Sequence, residues 1–244
     1  MRRTGDTLST LVTRLSAIGS LTESEVDAVL ALPYTPRGGK PGWEIAREGD
    51  QPSQCCLILE GTFCRFKFAA HGARQIVSYH IPGDVPDLQS CFLTVMDHTL
   101  AAITAGMVAF IPHTAVRTLM EENPPLGAKL LRESFIDSSI TREWLCNVGR
   151  RAADARIAHL ICEMFTRHRA AGSADQFTFP FGLTQATIGD SQGLSTVHVN
   201  RVMRQLKADE LISIDPGSKT MTILNWERLQ EVGDFDKGYL HILN

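Results

Sequence analysis

Asn123-Pro124-Pro125 divides this chain into two stretches whose apolar residues recur with different periods, and no single layer of secondary structure satisfies both. Paired prolines suit the first turn of a helix and not its interior. Upstream, from Trp43 to Pro112, short apolar runs such as Cys55 to Leu59, Phe63 to Phe68 and Gln75 to His80 are cut by Gly49-Asp50, Glu60-Gly61, His71-Gly72 and Pro82-Gly83-Asp84. Glycine at each interruption marks a turn, and strands repeated at this interval read as a jelly roll. Leu100 to Ile111, stopped by Pro112, supplies the last strands.

Downstream, Leu126 to Arg151 holds no proline, and Leu130, Leu131, Phe135, Ile136, Ile140, Trp144, Leu145 and Val148 recur at three and four spacing. Some 25 residues of helix would span roughly 35–40 Å, more than a β-sandwich needs for cover. Such a helix invites a copy of itself, with Leu130, Ile136, Ile140, Trp144 and Val148 expected on the dimer face. The alternative is a helix lying wholly on its own domain. Ala152 to Arg169 continues as helix on the stripe Ile157, Leu160, Ile161, Met164 and Phe165. The 244 residues thus read as an α+β chain in three parts: a jelly roll over 1–122, a helix and hinge over 123–152, and a C-terminal domain over 153–244.

Within that last domain the spacing is informative. Thr184 can cap a short helix, Gly189 is small enough for a second helix to cross close by, Gly193 stands where the chain turns sharply, and Ser195 can cap the second helix. Val199, Val202, Met203 and Leu206 form its buried stripe. These positions match a helix-turn-helix. Leu211 to Ile214, the turn Asp215-Pro-Gly-Ser218 and Thr220 to Leu224 add a hairpin, so the unit reads as a winged helix-turn-helix with Lys219 near the wing tip.

Charge gives no bulk sign of a nucleic-acid partner: Lys plus Arg total 24 against 27 for Asp plus Glu, a formal net charge of -3. From Ser195 to Lys207, however, Arg201, Arg204 and Lys207 stand with no acidic residue. Double-stranded DNA is therefore the expected partner. Thr196, Val197, Asn200 and Arg201 are the candidate base readers, since arginine reads guanine, asparagine reads adenine and methyl groups meet the thymine methyl. Thr184, Gln185, Ser195, His198, Arg204 and Lys219 are the candidate phosphate contacts.

From about residue 43 onward these features resemble the Crp/Fnr family of transcription regulators. Glu48-Gly49-Asp50, Leu59-Glu60-Gly61, Arg74-Gln75-Ile76 and Pro82-Gly83-Asp84 resemble its cyclic-nucleotide-binding-like jelly roll. Arg142 to Leu145, Gly149-Arg150-Arg151 and Ala155 to Leu160 resemble its dimer helix and hinge. Leu183-Thr184-Gln185 and Gly193-Leu194-Ser195 with Val197 to Arg201 resemble the DNA-binding motif of a branch common in α-proteobacteria. The resemblance implies a homodimer on a near-palindromic operator, with RNA polymerase as a further partner.

Departures bear on mechanism. Cyclic-AMP-binding members follow this Gly-Asp with a Gly-Glu pair and then an Arg-Ser pair that clamps the phosphate. Here Val85 to Ser90 and Leu93 to Ala102 contain no arginine, so a buried phosphate would be uncompensated. The implied pocket, Pro86, Asp87, Leu88 and Gln89 with Thr141 from the long helix, is degenerate, and tight cyclic-nucleotide binding is not expected. No cysteine precedes Cys55, against the N-terminal iron–sulfur cluster of oxygen-sensing members. Gln192 stands where the family carries an apolar residue, to snorkel outward or bond a backbone group. Val197 replaces a glutamate that accepts from cytosine, so the half-site should differ.

Other chemistry finds little support. The six cysteines, at 55, 56, 64, 91, 146 and 162, include no C-x-x-C pair and read as reduced, small hydrophobic residues. A cupin-like metalloenzyme needs a His-x-His pair, whereas the jelly roll offers only the separated His71, His80 and His98. No nucleophile stands beside a base, so the chain is expected not to be an enzyme, and no cofactor is expected. Haem, another small molecule or a redox signal remains an alternative input to the jelly roll, with His80 otherwise read as a hydrogen-bonded surface residue at a strand end; a jelly roll with no ligand is a third reading. No run of about 18 apolar residues suggests a membrane span, and Met1 to Asp6 lacks the apolar core of a signal peptide, so the expected location is the cytoplasm.

Overall fold

The computed structural model describes residues 7–243. Two helices come first, α1 (Ser9–Ile18) and α2 (Glu23–Leu30), and the sequence reading assigned neither. Seven strands follow: β1 (Thr35–Gly39), β2 (Glu44–Ala46), β3 (Gln54–Glu60), β4 (Phe63–Phe68), β5 (Arg74–His80), β6 (Thr99–Ala102) and β7 (Gly106–Pro112). They form two sheets, ordered β1-β7-β3 and β2-β6-β4-β5. Between the sheets lie Cys56, Ile58, Phe63, Leu100, Ala102 and Val108, all buried, with Trp43, Ile45 and Phe110 closing the edge. Removing this much apolar surface from water is what drives the sandwich together. Cys55 and Cys56 point to opposite faces of β3, and both are buried because helices and turns cover the outer face as well.

After α3 (His113–Glu122), the prolines open α4 (Pro124–Arg150), 27 residues and about 40 Å long. Beyond it come α5 (Ala153–Ala170), β8 (Thr178–Pro180), α6 (Gln185–Gln192), α7 (Thr196–Ala208), β9 (Ile212–Asp215), β10 (Thr220–Ile223) and α8 (Trp226–Gly233). The last strands form the sheet β8-β10-β9, so the wing hairpin gains a third strand from the extended Phe177 to Leu183 segment. Phe165 on α5 packs against Phe177, Phe179 and Trp226, the aromatic centre of this part. No helix among the described residues is long and apolar enough to cross a membrane.

By contact the chain divides into two units. Among the described residues, one comprises 7–67, 78–138 and 242–243; the other comprises 68–77 and 139–241. The border cuts α4 after Ser138, and the β4–β5 tip is counted with the C-terminal unit.

The residues expected on the dimer face of α4 are largely covered within their own chain. Leu130, Ile136, Ile140 and Trp144 are 2–6% exposed within their own chain, and Val148 is half-buried. In the second unit Trp144 donates its indole N–H to the buried Glu163, which also accepts from Tyr239 and Arg167. The outward residues are instead Leu131, Phe135 and Leu145, at 41%, 69% and 75% exposure, with Ser138 and Arg142 between them. Their 4-3-4-3 spacing is the one that coiled-coil seams use. A helix that is apolar on two faces shows the same period on both, so periodicity alone does not say which face meets its own core.

Candidate nucleic-acid interface

Helix α6 begins where Thr184 accepts from the Thr187 N–H at 3.1 Å and Thr187 Oγ1 accepts from the Thr184 N–H at 2.9 Å, a reciprocal cap. It ends at Gly193 in the left-handed region, φ 64°. A Cβ on Gly189 would sit 2.5 Å from the Leu194 carbonyl, so only glycine allows the chain to fold back this tightly. Ser195 then accepts from the His198 N–H at 3.3 Å and starts α7. Cap, glycine and turn residues all fall where the sequence reading put them.

Val199, Val202, Met203 and Leu206 bury one face of α7. The opposite face carries Thr196, Val197, Arg201, Arg204 and Lys207 in solvent, with Asn200 half-buried beside them. Val197 is 76% exposed, an aliphatic side chain left in water on the first turn. Arg201, Arg204 and Lys207 have no ion-pair partner among the described residues. A phosphate or base edge could meet these cations without first breaking an internal salt bridge. Gln185 and His198 are exposed near the starts of the two helices. At the wing, Asp215 folds the turn by accepting from the Gly217 and Ser218 N–H groups, which leaves Lys219 exposed at the start of β10. A cavity of about 600 Å³ flanks α7, lined in part by Asp154, Arg201, Gln205 and Arg228.

Two further grips on this motif have no local signature in the sequence. Arg74, from the β4–β5 tip, donates to Asp190 Oδ2 at 2.8 Å, and Gln75 donates to the Ser191 carbonyl at 3.2 Å. Both hold the end of α6. Gln192 neither snorkels outward nor relies on a backbone partner: it is 1% exposed, and its Oε1 accepts from the Asn147 amide of α4 at 2.7 Å. Arg156 adds a bond to the Gln192 carbonyl at 2.9 Å.

In the first unit, the segment compared with a nucleotide clamp is occupied by the protein itself. Arg65 on β4 donates to Asp137 of α4 at 2.6 Å and to the Pro86 carbonyl. Asp87 is 1% exposed and accepts from the Cys56 N–H at 2.8 Å; burial pushes its carboxyl up to about 6. Leu88 is buried, Gln89 half-buried. Thr141 stands exposed on α4, so the helix residue that reaches Arg65 is Asp137, one turn earlier. The cavity beside Asp87 measures about 160 Å³, against roughly 300–1,000 Å³ for a small-molecule pocket. His80 corrects another expectation. It is a core residue, 3% exposed, with Nε2 at 2.8 Å from Ser78 Oγ, and burial first, then Arg65, lowers its pKa to about 4. No group of three or more His, Cys, Asp or Glu among the described residues could hold a metal ion.

Residues 39–123 match the family described as cyclic nucleotide-binding domain, and residues 155–232 the Crp-like helix-turn-helix domain. The fumarate and nitrate reduction regulatory protein of Vibrio cholerae is 23% identical over 218 residues, 89% of this chain and 86% of that protein. The transcriptional activator protein FnrL of Cereibacter sphaeroides is 25% identical over 233 residues, 94% of this chain and 93% of that one. The solved structure of FixK2 from Bradyrhizobium japonicum superposes with a TM-score of 0.74 at 22% identity, covering 82% of this chain and 98% of that one, and shares the fold. With both halves matched in the same order and the caps and glycines of the second in place, the chain belongs to the Crp/Fnr family of DNA-binding transcription regulators, which are not enzymes.

Proposed function

We propose that this regulator works as a homodimer in the cytoplasm, with two α7 helices in successive major grooves of a near-palindromic operator. The outward stripe Leu131, Phe135 and Leu145 is the dimer seam, because an uncovered apolar stripe of this length is costly in water. Thr196, Val197, Asn200 and Arg201 read bases, while Thr184, Gln185, Ser195, His198, Arg204 and Lys219 hold phosphates. The observation that carries this reading is the face of α7, where cations free of internal partners flank an exposed Val197. Its place on DNA puts RNA polymerase within reach as the partner through which transcription changes.

Arg201→Ala should weaken operator binding by about 1–3 kcal/mol and relax selection at one base position. Quantitative gel-shift titration on a selected operator and its single-base variants reads both effects. Unchanged affinity and selectivity in the variant would remove Arg201 from the readout.

The signal is not a clamped cyclic nucleotide. Arg65, which lies against the Pro86 segment, is already neutralised by Asp137. Titration calorimetry with cyclic AMP or cyclic GMP should show no binding at micromolar ligand, and a micromolar Kd for either would overturn this reading.

A further inference from the structure

The cavity beside α7 is assembled wholly within the second unit, and its floor and mouth differ in chemistry. Val202 and Leu206 of α7 and Leu211 before β9 are buried, and with the half-buried Val232 of α8 they give it an apolar floor. Every apolar residue that lines it is aliphatic. At about 600 Å³ it falls within the range of roughly 300–1,000 Å³ that small-molecule sites occupy. Four charged residues stand exposed at the mouth: Asp154 at the start of α5, Arg201 on α7, Asp209 just after it and Arg228 on α8. Two of them are engaged by neighbouring side chains. Arg228 donates to Glu231 at 2.7 Å, and Asp209 accepts from the Gln205 amide at 2.8 Å. The other two are not. Among the described residues Asp154 accepts only from the adjacent Ala155 N–H, at 3.0 Å, and Arg201 has no partner. An anion and a cation thus face one cavity without closing into an ion pair across it. A ligand that carries one charge of each sign close together, with an aliphatic arm, complements this arrangement.

We propose that the cavity binds a free α-amino acid with an aliphatic side chain. Its carboxylate meets the Arg201 guanidinium, whose fork of N–H donors matches a carboxylate, and its ammonium meets Asp154. The side chain lies on Val202, Leu206, Leu211 and Val232. One charge alone does not fit: a simple carboxylate brings like charge to Asp154, and a simple amine brings like charge to Arg201. Binding has a consequence for DNA, which rests on the reading of Arg201 as a base contact. An arginine held by a carboxylate is withdrawn from the groove, so the amino acid and the operator compete for it.

The test uses the full chain with its valine and leucine methyl groups labelled with carbon-13. Titrated L-leucine should move the methyl resonances of Val202, Leu206, Leu211 and Val232 together. Two analogues separate the charges: 4-methylpentanoate is leucine without the ammonium, and 3-methylbutylamine is leucine without the carboxylate. Each should bind about tenfold more weakly or worse. The longer side chain of 2-aminooctanoate should tighten binding by about fourfold for each further methylene that the floor covers. Asp154→Asn, its fold verified by circular dichroism, should lose the preference for leucine over 4-methylpentanoate. Shifts confined to other methyl groups, or analogues that bind as well as leucine, would overturn the proposal. Gel-shift titration with and without saturating leucine separates the site from the DNA reading. If leucine moves these methyls and leaves operator affinity unchanged, the base contact at Arg201 fails and the site stands. If operator binding needs Arg201 and no methyl moves, the site fails and the base contact stands.

Discussion

The bond between Asn147 and Gln192 makes a quantitative prediction. Both side chains are almost fully buried, and the Asn147 amide donates to Gln192 Oε1 at 2.7 Å and to the Arg156 carbonyl at 3.2 Å. Replacing Asn147 by leucine strands Gln192 Oε1 without water, which costs about 1–3 kcal/mol. Asn147 Oδ1 meets no partner, so its removal returns part of that cost, and the net loss should be about 1–2 kcal/mol. Gln192→Leu alone leaves Asn147 still bonded to Arg156 and should cost about 1 kcal/mol. With both replaced, two apolar groups of similar volume meet, and the pair should recover at least about 1 kcal/mol relative to the sum of the single losses. Urea unfolding in a Trp43→Phe background, where emission comes from Trp144 and Trp226 of the second unit, measures the cycle. Strict additivity, or a loss below about 0.5 kcal/mol for Asn147→Leu, would mean the bond does not fix α6 against the end of α4.

Leu145→Glu places a charge on the outward seam of α4 and should shift the protein from dimer to monomer in sedimentation velocity, with loss of operator binding; a variant that sediments as a dimer would relocate the seam. The pH dependence of stability should expose two opposed groups. His80, lowered to about 4, binds fewer protons folded than unfolded between pH 4 and 6, so it makes stability rise with pH. Asp87, raised to about 6, binds more protons folded across the same window, so it makes stability fall with pH. The wild-type contributions nearly cancel there, and His80→Gln should unmask a fall of about 1 kcal/mol per pH unit between 4 and 6. Chemical denaturation at half-unit intervals would detect it, and a profile parallel to wild type would argue against the Asp87 assignment.

Local signals in the sequence carried the winged motif almost whole. Thr184, Gly189, Gly193 and Ser195 each answer a demand set within a few residues, a cap, a close crossing or a left-handed turn, so spacing alone exposes them. The strands from β2 onward were legible for the same reason, whereas β1, Thr35–Gly39, holds no apolar run and was not. What escaped are features fixed by partners far along the chain. Arg65 and Asp137 are 72 residues apart, Arg74 and Asp190 are 116 apart, and nothing in the period of β4, β5 or α4 marks them as pairs. Gln192 was visible as a polar residue at an apolar position, but its partner was not. Leu130 and Leu131 are neighbours on the helix, and only the folded core decides which one turns inward, so the sequence could not say that Leu130 is buried and Leu131 exposed.

The β4–β5 tip bears on modularity. Because Arg74 and Gln75 reach α6 from a segment some 60 residues before residue 139, the C-terminal unit is assembled from two separate stretches of chain. No single cut releases it intact. A fragment starting at 139 would leave Asp190 and the Ser191 carbonyl without their partners, and a jelly roll exchanged between relatives would carry those partners away with it. Inheritance of this helix-turn-helix is thus tied to the ten residues 68–77 that join β4 to β5.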